Sequence, residues 1–90
     1  METMKFPLGR CVITANAGRT LDPDDVKTSM DRHVKGDWGE LCDEDRASNE
    51  IALTQGSRLF SRYTDRGQCT FYIITEHDRS VTTVLLPDDY

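Results

Sequence analysis

The sequence predicts an α+β fold, with two helices packed on one face of a three- to four-stranded antiparallel sheet. Two observations support this class. Helix-type patterns occupy residues 22–55, and short alternating segments separated by turns occupy residues 58–86. The 90 residues show no break in composition, so we expect a single α+β domain over residues 1–90.

A short strand is predicted close to the start of the chain. Cys11 to Thr14 is a strand-prone run that follows Pro7 and Gly9. Proline and glycine at this point suit a short strand or an edge strand.

The first helix is predicted to begin after Asp22. The Asp22 side chain suits the N-cap, Pro23 suits the first helical position, and the next two aspartates favour the positive end of the helix dipole. Gly36 is expected to end this helix. The apolar side follows helical spacing through Val26, Met30, His33 and Val34.

The second helix is predicted from about Asp43 to Gln55, after a glycine-bracketed loop that carries Trp38. Its first turn is acidic, and Gly56 is a suitable C-terminal cap. The expected buried positions are Ala47, Ile51, Ala52 and Leu53.

The remaining residues predict an antiparallel meander. The strands are expected at Arg58 to Tyr63, Thr70 to Glu76 and Ser80 to Leu86. The turns between them are expected at residues 64–67 and 77–79. Both faces of the middle strand are apolar, so we expect both faces to be covered.

Negative charge is concentrated in the helical half of the chain. Ten of the sixteen acidic residues lie between Asp22 and Glu50 together with only four basic residues, which gives this stretch a formal charge of -6. The rest of the chain nearly cancels, because the total is -5. An acidic surface on a small protein favours a basic partner.

Several classes of site are disfavoured by the sequence. Cys11, Cys42 and Cys69 are odd in number and widely spaced, which argues against a disulfide framework and a zinc site. No phosphate loop, zinc-protease helix, serine-hydrolase elbow or dinucleotide fingerprint is present. We therefore expect no cofactor and no metal. Without a long apolar run we also expect no membrane association and a cytoplasmic location.

Three segments resemble a family of small uncharacterised "plasmid-related" proteins carried by bacterial phages, plasmids and other mobile elements. They are residues 33–41 (HVKGDWGEL), 56–61 (GSRLFS) and 73–87 (IITEHDRSVTTVLLP), and the resemblance extends over about residues 4–90. It implies a mobile-element context, and no established activity comes with it.

The first functional hypothesis is inhibition of a host defence complex, of the anti-CRISPR or anti-restriction type, without catalysis. Carboxylates on a rigid helix can occupy a basic surface built for phosphates, so the expected partner is a host protein or ribonucleoprotein complex, with no direct binding of nucleic acid. Trp38 is the expected apolar anchor. The candidate partner-binding residues are Asp24, Asp25, Asp31, Asp37, Trp38, Glu40, Asp43, Glu44 and Asp45.

The first alternative is a small ribonuclease toxin of the barnase or RelE type. Such enzymes bring acid, base and phosphate-binding side chains together on a sheet. The low pI of about 4.8 argues against RNA binding. The candidate catalytic residues for this alternative are His33, Glu76, Arg79, Arg58 and Tyr63.

The second alternative is a dimeric accessory or antitoxin-like binding module. A sheet of three or four short strands has edges that need cover, and a second copy of the chain provides one form of cover. The sequence contains no feature that decides whether the chain forms a dimer.

Overall fold

The computed structural model describes residues 4–90. Within this range the chain forms four strands, three α-helices and a final 3-10 turn, Pro87–Asp89. The strands are β1 (Arg10–Ile13), β2 (Leu59–Thr64), β3 (Thr70–Thr75) and β4 (Val81–Leu85). The helices are α1 (Ala15–Thr20), α2 (Pro23–Val34) and α3 (Asp43–Gln55). These elements confirm the predicted α+β class.

The four strands form one mixed sheet in the order β1-β4-β3-β2. The meander β2-β3-β4 is antiparallel, as predicted, with Ser61 opposite Ile73 and Ile73 opposite Val84. β1 instead runs parallel to β4, with Val12 beside Thr83. A parallel pair requires a long crossover between its strands, and here three helices and the strands β2 and β3 lie between β1 and β4 in the chain.

The start of α2 confirms the predicted cap. Asp22 Oδ1 accepts hydrogen bonds from the amides of Asp24 (2.9 Å) and Asp25 (3.2 Å), and Pro23 is the first helical residue. Asp65 fastens this cap to the sheet, because its Oδ2 accepts from the amide of Asp22 at 3.0 Å. The predicted turn after β2 is thereby tied to the first turn of α2.

The bounds of α3 match the predicted helix. Gly56 follows it in the left-handed conformation (φ 73°), and its amide donates to the carbonyl of Ala52 at 2.9 Å. The N-cap residue Cys42 makes no side-chain cap hydrogen bond. The positive end of this helix is therefore stabilised by the acidic side chains of its first turn.

Helix α1 has no counterpart in the predicted elements. It is only six residues long and contains Gly18, so it carries neither an apolar period nor strong helix propensity. Thr14 caps it, since its Oγ1 accepts from the amide of Ala17 at 3.1 Å. Ala17 is its only buried residue, and it packs into the main core.

All three helices contribute side chains to one face of the sheet. Under α1, a cluster joins Ala17, Leu21, Tyr63, Phe71, Ile73 and Val84. Under α3, a second cluster joins Phe6, Trp38, Leu41, Ala52 and Leu59. Helix α2 reaches the same face through its buried residue His33. The helix-facing positions of β2 are Leu59, Ser61 and Tyr63, as the alternation of that strand predicts.

The opposite face of the sheet carries aromatic side chains. Phe60 and Tyr72 lie 4.7 Å apart between ring centroids, and Tyr90 meets Tyr72 edge-on at 6.2 Å. Ile74 and Leu85 are buried on this outer face. Cover on the second face of β3, which the sequence predicts, therefore comes in part from the C-terminal turn. Within residues 4–90, none of the helices is long and apolar enough to cross a membrane.

Candidate functional site

The candidate acidic residues fall into two groups, of which the first is held by contacts inside the protein. Asp25 binds the amide of Arg66 (2.8 Å) and its guanidinium (3.0 Å). Asp37 pairs with Arg32 at 2.8 Å, and Glu40 accepts from the Thr64 hydroxyl at 2.9 Å. These three carboxylates therefore hold loops and strands in place.

The pKa values of two of these carboxyl groups reflect their partners. The side-chain hydrogen bond from Arg66 lowers the pKa of Asp25, and the side-chain hydrogen bond from Arg32 lowers that of Asp37. Both groups are consequently ionised at neutral pH, and both are already neutralised locally by an arginine.

The second group consists of exposed carboxylates. Within residues 4–90, the side chains of Asp24, Asp31, Asp43, Glu44 and Asp45 take part in no hydrogen bond and no ion pair. Three of these five are consecutive and form the first turn of α3, which we call the α3 acidic turn (Asp43–Asp45). Their charges are available to a partner.

The neighbouring arginine of α3 does not neutralise this turn. The guanidinium of Arg46 points back along the chain and donates to the carbonyl of Gly39 at 2.8 Å and to that of Leu41 at 3.0 Å. Arg46 thus holds the loop that precedes α3. The α3 acidic turn is therefore the most concentrated free negative charge among the candidates.

Trp38 lies in the core and is only 4% exposed. Its indole stacks on Phe6, meets the ring of His33 edge-on, and donates from Nε1 to Glu50 at 2.8 Å. A side chain enclosed in this way cannot insert into a partner while the fold is intact. Trp38, which the sequence suggested as an interface anchor, instead packs the loop before α3 onto the second core cluster.

His33 is fully buried at the centre of a chain of polar side chains. Its Nδ1 lies 2.5 Å from Ser61 Oγ, and its Nε2 lies 2.9 Å from Thr75 Oγ1. Thr75 Oγ1 is 2.7 Å from Thr82 Oγ1, which donates to the carbonyl of Leu8 at 2.7 Å. The chain thus runs from β2 through α2 to β3, β4 and the N-terminal segment.

The direction of every hydrogen bond in this chain follows from its last member. A carbonyl only accepts, so the hydroxyl of Thr82 donates to Leu8 and must accept from Thr75. The hydroxyl of Thr75 is then used, and it accepts from His33 Nε2–H. His33 Nδ1 is left unprotonated and accepts from Ser61. The chain therefore fixes one neutral tautomer of His33.

Burial, with a smaller contribution from the positive charge of Arg79, lowers the pKa of His33 to about 3. A neutral, enclosed imidazole with both nitrogens occupied has no free position for a substrate proton. This geometry makes His33 a structural residue in the described state of the protein.

The other candidate residues of the ribonuclease alternative do not converge on His33. Arg58 and Glu76 come together, 3.4 Å apart on the outer face, and Arg58 also reaches the Tyr90 hydroxyl at 3.5 Å. Tyr63 is buried on the helix side, where its hydroxyl donates to the carbonyl of Asp37. Burial raises the pKa of Tyr63 to about 12. The five candidates therefore do not surround one cavity.

Arg79 acts as a clamp between the β3-β4 turn and the end of α3. Its guanidinium donates to the carbonyls of Ser57 (2.6 Å) and Ala52 (3.0 Å), and also to those of Glu76 (3.1 Å) and His77 (3.3 Å). Its cationic group lies 5.8 Å from the centroid of the Phe6 ring. All of these contacts are structural.

We expect Arg79→Ala to lower the free energy of unfolding by about 2 kcal/mol, because charged hydrogen bonds to carbonyls are lost. The matched control is Arg58→Ala. Arg58 is about half exposed and makes two long contacts, so a change within about 0.5 kcal/mol is expected. Urea unfolding of both variants measures the difference. Equal losses would contradict the clamp.

One feature was absent from the sequence hypotheses: the aromatic patch of Phe60, Tyr72 and Tyr90 on the outer face. Tyr90 is 70% exposed. The available signal was the alternation of β2 and β3, which places Phe60 and Tyr72 opposite the core side. The position of Tyr90 above this face depends on the tertiary path of the last turn.

Comparison of the chain with protein-family models, with curated proteins and with solved structures gave no match. Among residues 4–90, no group of three or more His, Cys, Asp or Glu side chains is placed to hold a metal ion.

Proposed function

We propose that this protein inhibits a nucleic-acid-processing defence complex, of the anti-CRISPR or anti-restriction type, by non-catalytic binding to the complex's basic surface. The observation that carries the proposal is the α3 acidic turn, three consecutive exposed carboxylates without partners among residues 4–90. The resemblance to plasmid-related proteins of mobile elements supplies the biological setting, the cytoplasm of a bacterial host.

The placement of the charges supports binding to a basic groove. The turn sits at the start of a 13-residue helix, which is about 20 Å long and holds the carboxylates in a fixed arrangement. A groove lined by lysine and arginine attracts such an array at long range and pairs with it at contact. Two further free carboxylates, Asp24 and Asp31, lie two turns apart on one side of α2 and add to the negative charge of the surface.

The ribonuclease alternative has weaker support. Among the side chains of its five candidates only Arg58 and Glu76 form an ion pair, and this pair neutralises both charges. His33, its candidate base, is buried and neutral. An RNA substrate would also meet a chain of net charge -5.

The test is a binding panel of purified guide-RNA effector complexes and restriction complexes, each with labelled target DNA. We expect the protein to prevent DNA binding by at least one complex, and we expect this inhibition to weaken as salt is raised. The control is the protein denatured and desalted before addition. If every complex retains its DNA at low salt and excess protein, the proposal is overturned.

A further inference from the structure

We propose that the outer edge of β1 pairs with the same edge of a second copy of this chain. The two β1 strands are antiparallel, and the two four-stranded sheets join into one continuous sheet. The inference concerns the sheet edge and does not depend on the proposed function. The edge strands of the sheet are β1 and β2, and the chain covers one of them more than the other.

The chain covers its β2 edge with its own loop. Gly39 forms a parallel bridge with Arg62, the amide of Glu40 donates to the Arg62 carbonyl at 2.8 Å, and the amide of Arg62 donates to the Trp38 carbonyl at 3.3 Å. The edge backbone of β2 is thereby occupied. Natural sheets block exposed edges in this way because unpaired strands attract other strands.

The β1 edge has no such cover among residues 4–90. The amide of Thr14 donates to Val84 of β4, and that of Arg10 donates to Ser80 just before β4. The backbone amides and carbonyls of the alternate residues Cys11 and Ile13 therefore point away from β4. Cys11 is exposed, and Ile13, a large apolar residue, is 46% exposed. An open backbone edge beside exposed apolar side chains fits a partner strand of similar character.

The sequence of β1 is complementary to itself. When two β1 strands pair antiparallel with Val12 opposite Val12, Cys11 of one copy lies opposite Ile13 of the other and exchanges backbone hydrogen bonds with it. The two-fold symmetry repeats this pair on the other side of Val12. Both pairs bury apolar side chains on the helix side. Val12 meets Val12 on the outer side, and Arg10 lies opposite Thr14. No like charges face each other in this register.

The distribution of charge permits this approach. Helix α3 contacts β2, at the other edge of the sheet, so the α3 acidic turn lies away from the junction. The charges near β1 are of both signs: Arg10 and Arg19 are cationic, and Asp89, held by Thr14 and Asn16, is anionic. The dimer therefore carries its two acidic turns at opposite ends.

The first experiment measures mass by light scattering across a concentration series. We expect the mass to rise from 10.2 kDa towards twice that value. Ile13→Pro should keep the monomer mass throughout, because proline removes an outward amide and no bond to β4. Circular dichroism checks that this variant is folded. A wild-type protein that stays monomeric at millimolar concentration would overturn the inference.

The second experiment tests the register and does not depend on the folding of the proline variant. In a Cys11→Ala, Cys42→Ser, Cys69→Ala background, Val12→Cys should form an intermolecular disulfide on mild oxidation, because this pair lies about 4.5 Å apart between Cα atoms. Thr64→Cys in the same background is the matched control on β2 and should remain monomeric. Equal cross-linking of the two variants would contradict pairing through β1.

Discussion

Replacing His33 by leucine is expected to lower the free energy of unfolding by about 1.5–4.5 kcal/mol. The change keeps an apolar volume in the core but removes the partner of two buried hydroxyls, on Ser61 and Thr75. The Ser61 hydroxyl loses its acceptor, which costs about 1–3 kcal/mol, whereas Thr75 still donates to Thr82 and loses one hydrogen bond worth about 0.5–1.5 kcal/mol. Since small domains have a stability of about 5–15 kcal/mol, the variant should be close to unfolding. Urea unfolding with a folded-state spectroscopic baseline measures the loss.

The control for this variant removes the hydroxyls as well. His33→Leu combined with Ser61→Ala and Thr75→Val replaces the polar centre by apolar groups, and such a replacement is often nearly neutral. The triple variant should therefore be more stable than the single variant. If it is less stable, the cost of His33→Leu comes from packing, and the hydrogen-bond chain is not its cause.

Stability is expected to fall as the pH is lowered from about 6.5. Burial lowers the pKa of His33 to about 3 in the folded protein, whereas the unfolded chain takes up this proton near its ordinary value of 6.5. Between these values the unfolded state binds more protons, so the free energy of unfolding decreases as pH decreases. The slope is about 1.4 kcal/mol per pH unit, or about 2 kcal/mol between pH 6.5 and pH 5.

Urea unfolding from pH 7.5 to pH 4.5 measures this slope. His33→Gln should remove it, because the variant has no imidazole at this position. His77→Asn should preserve it, because the slope is assigned to His33 and His77 is an exposed turn residue. A slope that survives in His33→Gln would contradict a neutral buried imidazole.

A further loss of stability is expected below about pH 4. Hydrogen bonds lower the folded-state pKa of Asp25, Asp37, Asp65, Asp78 and Asp89. Depressed carboxyl pKa values contribute stability above the unfolded pKa, and this contribution disappears as pH falls through the folded values. Most of the pH range in which His33 lowers stability, from about 6.5 to about 4, lies above the range of the carboxylates, so the two effects can be measured separately.

The sequence predicts those elements whose ends or buried side are determined by residues close together in the chain. Asp22, Pro23 and Gly56 act through backbone geometry within one turn, so the start of α2 and the end of α3 were both predictable. The alternation of Leu59, Ser61 and Tyr63 likewise predicted the buried side of β2. These signals require no knowledge of distant contacts.

The features that the sequence did not predict depend on distant contacts. α1 is a short helix without an apolar period, and its cap and single buried alanine have meaning only against the sheet. The parallel direction of β1 depends on the path of three intervening helices. The role of His33 depends on hydroxyls of three different strands. Its apolar stripe position indicated burial but could not identify these partners.

Sequence position alone does not show which candidate carboxylates have partners inside the protein and which are free. Asp24 and Asp25 are neighbours on α2, yet only Asp25 meets Arg66, which lies 41 residues further along the chain. Asp37 and Glu40 are likewise held by contacts that composition cannot show. The structure therefore narrows the interaction hypothesis to the α3 acidic turn and two residues of α2.

The most direct test of the proposed function compares two charge-matched variants in competition with target DNA on a complex that the binding panel identifies. Asp43→Asn, Glu44→Gln, Asp45→Asn removes three negative charges from the α3 acidic turn. Asp88→Lys combined with Gln55→Lys changes the net charge by the same amount at exposed positions outside the candidate binding residues. We expect the wild-type protein to raise the apparent Kd of the DNA, the α3 variant to lose at least tenfold in this effect, and the matched variant to lose less. Equal loss in both, with both variants folded, would contradict binding through the α3 acidic turn.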